Sequence, residues 1–186
     1  ISEFLTKFFN QKKQTKYQFR LVRSLDGMER KLNEGTPRKL DKDVEIGLDF
    51  PDGFPFLLAS QQSVNDFNKK VDGVNIEYDR FRPNIVVSGR SLKPYEEDSW
   101  KNLLISRVTF QNMKTCTRCT VPSIDQITGE RNLKVSAALQ EHRGGRMNDK
   151  DVTLFGINLC SHASGKLKVG DLVFVESSQD KDYEEK

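Results

Sequence analysis

The chain has 186 residues, 35% of them apolar and 31% charged, enough for one domain with a real core and part of a second. Thirty Lys and Arg against 27 Asp and Glu leave a net charge of +3, too mild for the dense basic stripe of a dedicated nucleic-acid binder. Three cysteines do not make a secreted disulfide framework and fit a reducing compartment, and no apolar run approaches the roughly 20 residues that span a bilayer.

The chain opens at Ile1, not Met, inside an apparent helix, so upstream sequence with any anchor or targeting segment is expected to be missing. Phe4, Leu5, Phe8 and Phe9 share one helical stripe, with Ser2 as the expected cap. "YQFRLVR" alternates apolar and basic residues, the pattern of a half-exposed strand. From Ser24 to Lys42 the text is charged and aperiodic, an irregular connection and a domain junction.

Pro51-Asp52-Gly53 forms a turn, and Phe56 to Ala59 a short buried strand. Ser60 is placed to cap a helix carrying Val64, Phe67 and Val71. "RFRPNIVVSG" is a loop entering the strand Ile85 to Val87, and "LLISRVTFQNM" gives two strands around Ser106. "VSAALQEHR" reads as a helix, and "VTLFGINLC" and "DLVFVES" as strands. The end, "ESSQDKDYEEK", is most simply a solvated acidic tail. Many short strands with few helices predict a mixed α/β, mainly β fold: a barrel-like domain with added helices.

Chemistry concentrates in "CTRCTVPSIDQITGE". Cys116 and Cys119 admit three readings. With Cys160 and His162 they could ligate zinc. As a dithiol they would need a helix N-terminus after a strand, where Pro122 and Gly129 instead signal turns. A single thiolate could serve a soft metal, with Arg118 favouring the anion and Cys116 packing as a small hydrophobe. Asp125 and Gly129 fit an Asx-type turn with glycine at positive φ. In "EEDSW", Asp98 and Trp100 could shape a pocket wall, although Trp is more often core. His142 and His162 receive no role. On residue type alone, Arg82 pairs with Asp98 or caps a sheet edge, and Asn84 serves a turn.

The ordered motifs "DGFPFLLAS", "FRPNIVVSG", "YEEDSW", "CTRCTVPSIDQITGE", "LFGINL" and "GKLKVGDLVFV" resemble the MOSC domain, above all that of the amidoxime-reducing component family. The resemblance divides the chain into residues 1–49, the end of an N-terminal MOSC-associated domain, residues 50–176, the MOSC domain, and residues 177–186, the tail. It implies a molybdenum–pterin cofactor with Cys119 as metal ligand and catalytic residue. Arg82, Asn84 and Arg118 would be cofactor-binding: the planar Arg82 fork suits phosphate oxygens, and Asn84 a pterin edge. Pyridoxal phosphate binding is a further family association. The implied activity is reduction of N-hydroxylated compounds, with electrons from a flavin reductase through a b-type cytochrome, in mitochondria. The alternative is a MOSC-fold subunit without activity, held by neighbouring protein subunits of a larger mitochondrial assembly. Without the earlier part of the N-terminal domain, cofactor binding by this chain is expected to be weak, with an apolar patch exposed near Phe4, Phe8 and Phe9.

Overall fold

The structure, a computed structural model, describes residues 1–14, 16–23, 25, 30–31, 47–48, 53–177 and 183–185. Helix α1 spans Ser2–Lys13, with Glu3 in its first turn and Lys12 and Lys13 in its last, each complementing the helix dipole. Ser2 is the first helical residue rather than the cap, because the N-cap position falls on Ile1, which makes no side-chain bond.

The strand expected at Tyr17 does not form, since side chains of α1 take the backbone groups a neighbouring strand would need. The Asn10 amide receives a bond from Tyr17 N at 3.0 Å and donates to Tyr17 O at 2.8 Å. Thr6 Oγ1 does the same for Phe19 N, at 3.0 Å, and Phe19 O, at 3.3 Å. Phe9 packs on Phe19, while Phe4 and Phe8 stay 68% and 44% exposed, as the apolar-patch expectation requires. Strands β1 (Arg30–Lys31) and β2 (Gly47–Leu48) form a small antiparallel pair. Apart from Leu25, the rest of the Ser24–Lys42 connection lies outside the described residues.

The main body follows the expected order. Strand β3 (Phe56–Ser60) leads into α2 (Gln61–Asn68), capped by Ser60, whose hydroxyl accepts Ser63 N at 3.1 Å. A 3-10 turn (Tyr78–Phe81) precedes β4 (Ile85–Val87), and another (Glu96–Ser99) precedes β5 (Trp100–Ile105). Ser106 turns at φ 55° into β6 (Val108–Thr117), and a third 3-10 turn (Val121–Ser123) leads towards α3 (Leu133–His142). Strands β7 (Gly144–Met147), β8 (Lys150–Ser161), β9 (Val173–Ser177) and β10 (Glu184–Glu185) complete the chain.

Eight of these strands form one curled sheet, ordered β10-β7-β8-β6-β5-β9, with β3 on β8 and β4 parallel to β3. This nearly closed, barrel-like sheet with helices against it is the expected fold class. A cleft of about 750 Å³ opens between β4 and β9, lined in part by Ile85, Val87, Trp100 and Val173.

Two cores flank β8. Leu58, Trp100, Leu103, Phe110, Ile157 and Leu159 fill the barrel, and Val64, Phe67, Phe81, Leu139 and Phe155 pack beneath α2 and α3. Full burial of each such side chain stabilises by about 1.5–3 kcal/mol. A regular strand would aim Phe155 and Ile157 to one face. Gly156, at φ +74°, breaks that alternation, so the two residues enter different cores.

The end of the expected solvated tail is packed against the body. Tyr183 is 8% exposed, clusters with Met147 and Leu154, and donates to Asp98 Oδ2 at 2.9 Å. Glu184–Glu185 pairs with β7.

Candidate functional site

The first element of the site is Arg82-Pro83-Asn84. Proline disfavours the helical region for the residue before it, so the 3-10 turn cannot continue through Arg82. Arg82 instead takes left-handed angles, φ 57° and ψ 44°, at a cost of about 1–2 kcal/mol. Its side chain is exposed and makes no ion pair with another described residue. Asp98, the partner expected on residue type, is buried elsewhere, on Arg143 Nη2 at 2.5 Å. Asn84 starts the β3–β4 ladder: its N–H donates to Leu57 O, and its Oδ1 accepts Leu57 N, both at 2.8 Å. The side-chain NH₂ is the part of Asn84 that remains available to a ligand.

The second element is the cysteine loop. Cys116, one residue before the end of β6, is half-buried, not in the core as expected, and its sulfur accepts Arg118 Nη1 at 3.2 Å. Cys119 follows in an exposed position. Arg118 thus turns its guanidinium to the first cysteine rather than the second. Its backbone is pinned to β8, with N donating to Thr153 O at 2.7 Å and O accepting Thr153 Oγ1 at 3.1 Å. Beyond Cys119, Asp125 makes the expected Asx turn. Its Oδ1 accepts Ile127 N and Thr128 N at 3.0 and 2.8 Å, and Gly129 sits at φ +74°. Those backbone N–H groups, assisted by nearby Arg80, hold the Asp125 carboxyl below its ordinary value.

The two loops meet through two arginines. Arg80 Nη2 reaches Asp125 Oδ2 at 2.6 Å, and Arg118 Nη2 reaches Phe81 O at 2.7 Å. The Arg118 guanidinium also lies 5.7 Å from the centre of the Phe81 ring. Arg80 had no place in the sequence reading, since its partner is 45 residues away and no local spacing marks the pair.

The rival readings of the cysteines find no support in this geometry. Cys160 faces Gln111, five residues along β6 from Cys116, roughly 16 Å at about 3.3 Å per residue. It is fully buried with Phe54 and Met113, and burial pushes its thiol up to about 12. The Cys116–Cys119 pair runs into a 3-10 turn, not the N-terminus of an α-helix. All three thiols are unpaired, which by itself assigns no compartment. His142 ends α3 and His162 follows β8, and neither bonds to the two loops.

"EEDSW" is structural. Trp100 is core and also lines the seam cleft. Glu97 is fully buried and accepts Ser60 N, Ser60 Oγ and Ser63 Oγ, at 3.1, 3.0 and 2.7 Å. Desolvation raises its carboxyl above the ordinary value, against the pull of the Ser63 bond.

The donor set suits an anionic, thiolate-ligated group. It offers an exposed thiol at Cys119 and an exposed guanidinium at Arg82. Arg80 Nη1 and Arg118 Nε are two further buried donors without a partner among the described residues.

A family model for the MOSC domain matches residues 46–174. Mitochondrial amidoxime reducing component 2 of Bos taurus is 33% identical over 161 residues, covering 84% of this chain and 46% of that protein. Mitochondrial amidoxime-reducing component 1 of Homo sapiens is 33% identical over 131 residues, covering 68% and 38%. The molybdenum cofactor sulfurase of Oryza sativa subsp. japonica is 33% identical over 128 residues, covering 63% and 15%. The chain therefore spans less than half the length of these relatives.

Proposed function

The chain belongs to the MOSC domain family, and on that footing we propose that it holds a molybdenum–pterin cofactor and reduces N-hydroxylated compounds such as amidoximes. The observation that carries this reading is the meeting of the Cys119 loop with the Arg82 loop through Arg80 and Arg118. When bound, the cofactor supplies a redox-active metal able to take oxygen from nitrogen. Cys119 offers the soft thiolate ligand and has to lose its proton to do so. Arg82, held outward by its left-handed backbone, grips an anionic oxygen with a planar fork that a lysine cannot reproduce. The Asn84 NH₂ donates to the pterin edge. Arg118 keeps a positive charge beside the cysteines without leaving Phe81 O and Cys116 Sγ.

The names of the relatives support a mitochondrial location, and the family resemblance implies that electrons would arrive from a flavin reductase through a b-type cytochrome. A second reading, an inactive MOSC-fold subunit of a larger mitochondrial assembly, is favoured by one observation: Phe4 and Phe8 of α1 are exposed together. Metal analysis and oxidised-pterin fluorescence on the purified protein separate the two. The reductase reading expects stoichiometric molybdenum in the intact protein, with any sequence that precedes Ile1, and occupancy falling in Arg82→Lys while the fold is retained. Absence of metal and pterin from natively purified protein selects the subunit reading, and equal occupancy in Arg82→Lys removes Arg82 from the site.

A further inference from the structure

We propose that Arg80 and Arg118 are positioning residues: a reciprocal clasp in which each of the two loops sends an arginine into the other, fixing where Cys119 stands relative to Arg82. Arg80 leaves the turn that ends at Arg82 and binds Asp125 in the cysteine loop at 2.6 Å. Arg118 leaves the cysteine loop and binds the carbonyl of Phe81, next to Arg82, at 2.7 Å. The anchors bracket Cys119 in sequence, one residue before it and six after.

Each anchor is itself held. Arg118 is pinned to β8 through Thr153. Asp125 is fixed by its Asx turn and by its N–H, which donates to Glu130 O at 2.8 Å. Between them, Ser123 is tied to α3 through the Ser136 hydroxyl, and its carbonyl accepts Asn132 N at 2.7 Å. The Arg80 side chain is only 8% exposed, and a buried guanidinium needs its carboxylate. The bond is therefore expected to persist, where an exposed pair would flicker. Slack at either arginine would let Cys119 and Arg82 drift apart. That separation has functional meaning only under the molybdenum–pterin reading, on which this part of the inference rests; the clasp itself does not depend on it.

The test reads the loop-to-loop distance without any cofactor. Nitroxides are attached at Cys119 and at Tyr78→Cys, an exposed position in the Arg82 loop. The background is Cys116→Ser, with buried Cys160 left unlabelled. Dipolar broadening between the labels should be strong and uniform in this parent. In Arg80→Ala it should weaken and spread, and in Arg80→Lys it should be partly restored. Asp125→Asn is the second variant: it keeps the acceptor for Ile127 N and Thr128 N, removes the charge, and should loosen the labels while the chain stays folded. Broadening unchanged from the parent in both Arg80→Ala and Asp125→Asn, with folding verified by circular dichroism, overturns the clasp. A clasp that responds as expected, while unlabelled, natively purified intact protein holds no molybdenum, sinks the proposed function and leaves the clasp standing.

Discussion

Gly129 and Gly156 share the same φ, +74°, yet only one has a neighbour in the way. A Cβ on Gly129 meets nothing within 4 Å, whereas one on Gly156 would stand 2.5 Å from the carbonyl oxygen of Leu58. Gly129→Ala therefore isolates the conformational cost of a left-handed alanine, about 1–2 kcal/mol. Gly156→Ala adds the clash. Leu58 is paired with Ile157 in the β3–β8 ladder, alongside Leu57 with Asn158 and Phe56 with Leu159. To restore ordinary contact β3 must retreat by roughly 1 Å, an overpacking strain of about 1–3 kcal/mol. One weakened ladder bond adds about 0.5–1.5 kcal/mol. The total is about 3–6 kcal/mol, a large part of the roughly 5–15 kcal/mol stability of a domain. For a chain of this size that lowers the melting temperature by roughly 6–24 °C, against about 2–8 °C for Gly129→Ala. Urea unfolding of both variants beside the parent provides the assay. Equal losses in the two variants would refute the claim that Gly156 exists for the approach of β3.

Two further outcomes follow from ionisation. Burial raises the Glu97 carboxyl above its ordinary 4.5, so its protonated form contributes stability that is complete below about pH 4.5 and lost as pH rises through the folded value. Glu97→Gln, still able to accept from Ser60 and Ser63, should flatten stability across that window; an unchanged slope in pH-dependent unfolding contradicts this. Because burial pushes Cys160 up to about 12, iodoacetamide at pH 8 should modify exposed Cys119 readily and reach Cys160 only after unfolding, as read by mass spectrometry. Modification of Cys160 in the folded protein at the rate of Cys119 would show that the thiol is not enclosed.

The parts of the fold written in local pattern were legible. Ser60 before a helical stripe, two strands meeting at Ser106, and Asp125 with Gly129 four residues on are short-range signals, and the structure repeats them. The two motifs of the candidate site could be quoted from the sequence, but not what joins them. Arg80–Asp125 spans 45 residues and Tyr183–Asp98 spans 85, and neither leaves a period in the sequence. The tail's acidic residues hid the one aromatic that anchors its end. β7, whose residues are "GGRM", is not expected from the sequence: it has little strand propensity of its own and is a strand because β8 and β10 flank it. The strand expected at Tyr17 failed for the opposite reason: its alternation was real, but Asn10 and Thr6 satisfied the backbone first.

The account turns on Cys119 as a metal ligand, and molybdenum content measures that most directly. The comparison needs natively purified parent, Cys119→Ser and Cys116→Ser, each assayed for metal per chain after desalting. For the intact protein, with any sequence that precedes Ile1, the account predicts stoichiometric molybdenum in the parent, near-complete loss in Cys119→Ser, and retention in Cys116→Ser, whose hydroxyl can still accept from Arg118. Full metal in Cys119→Ser would contradict it.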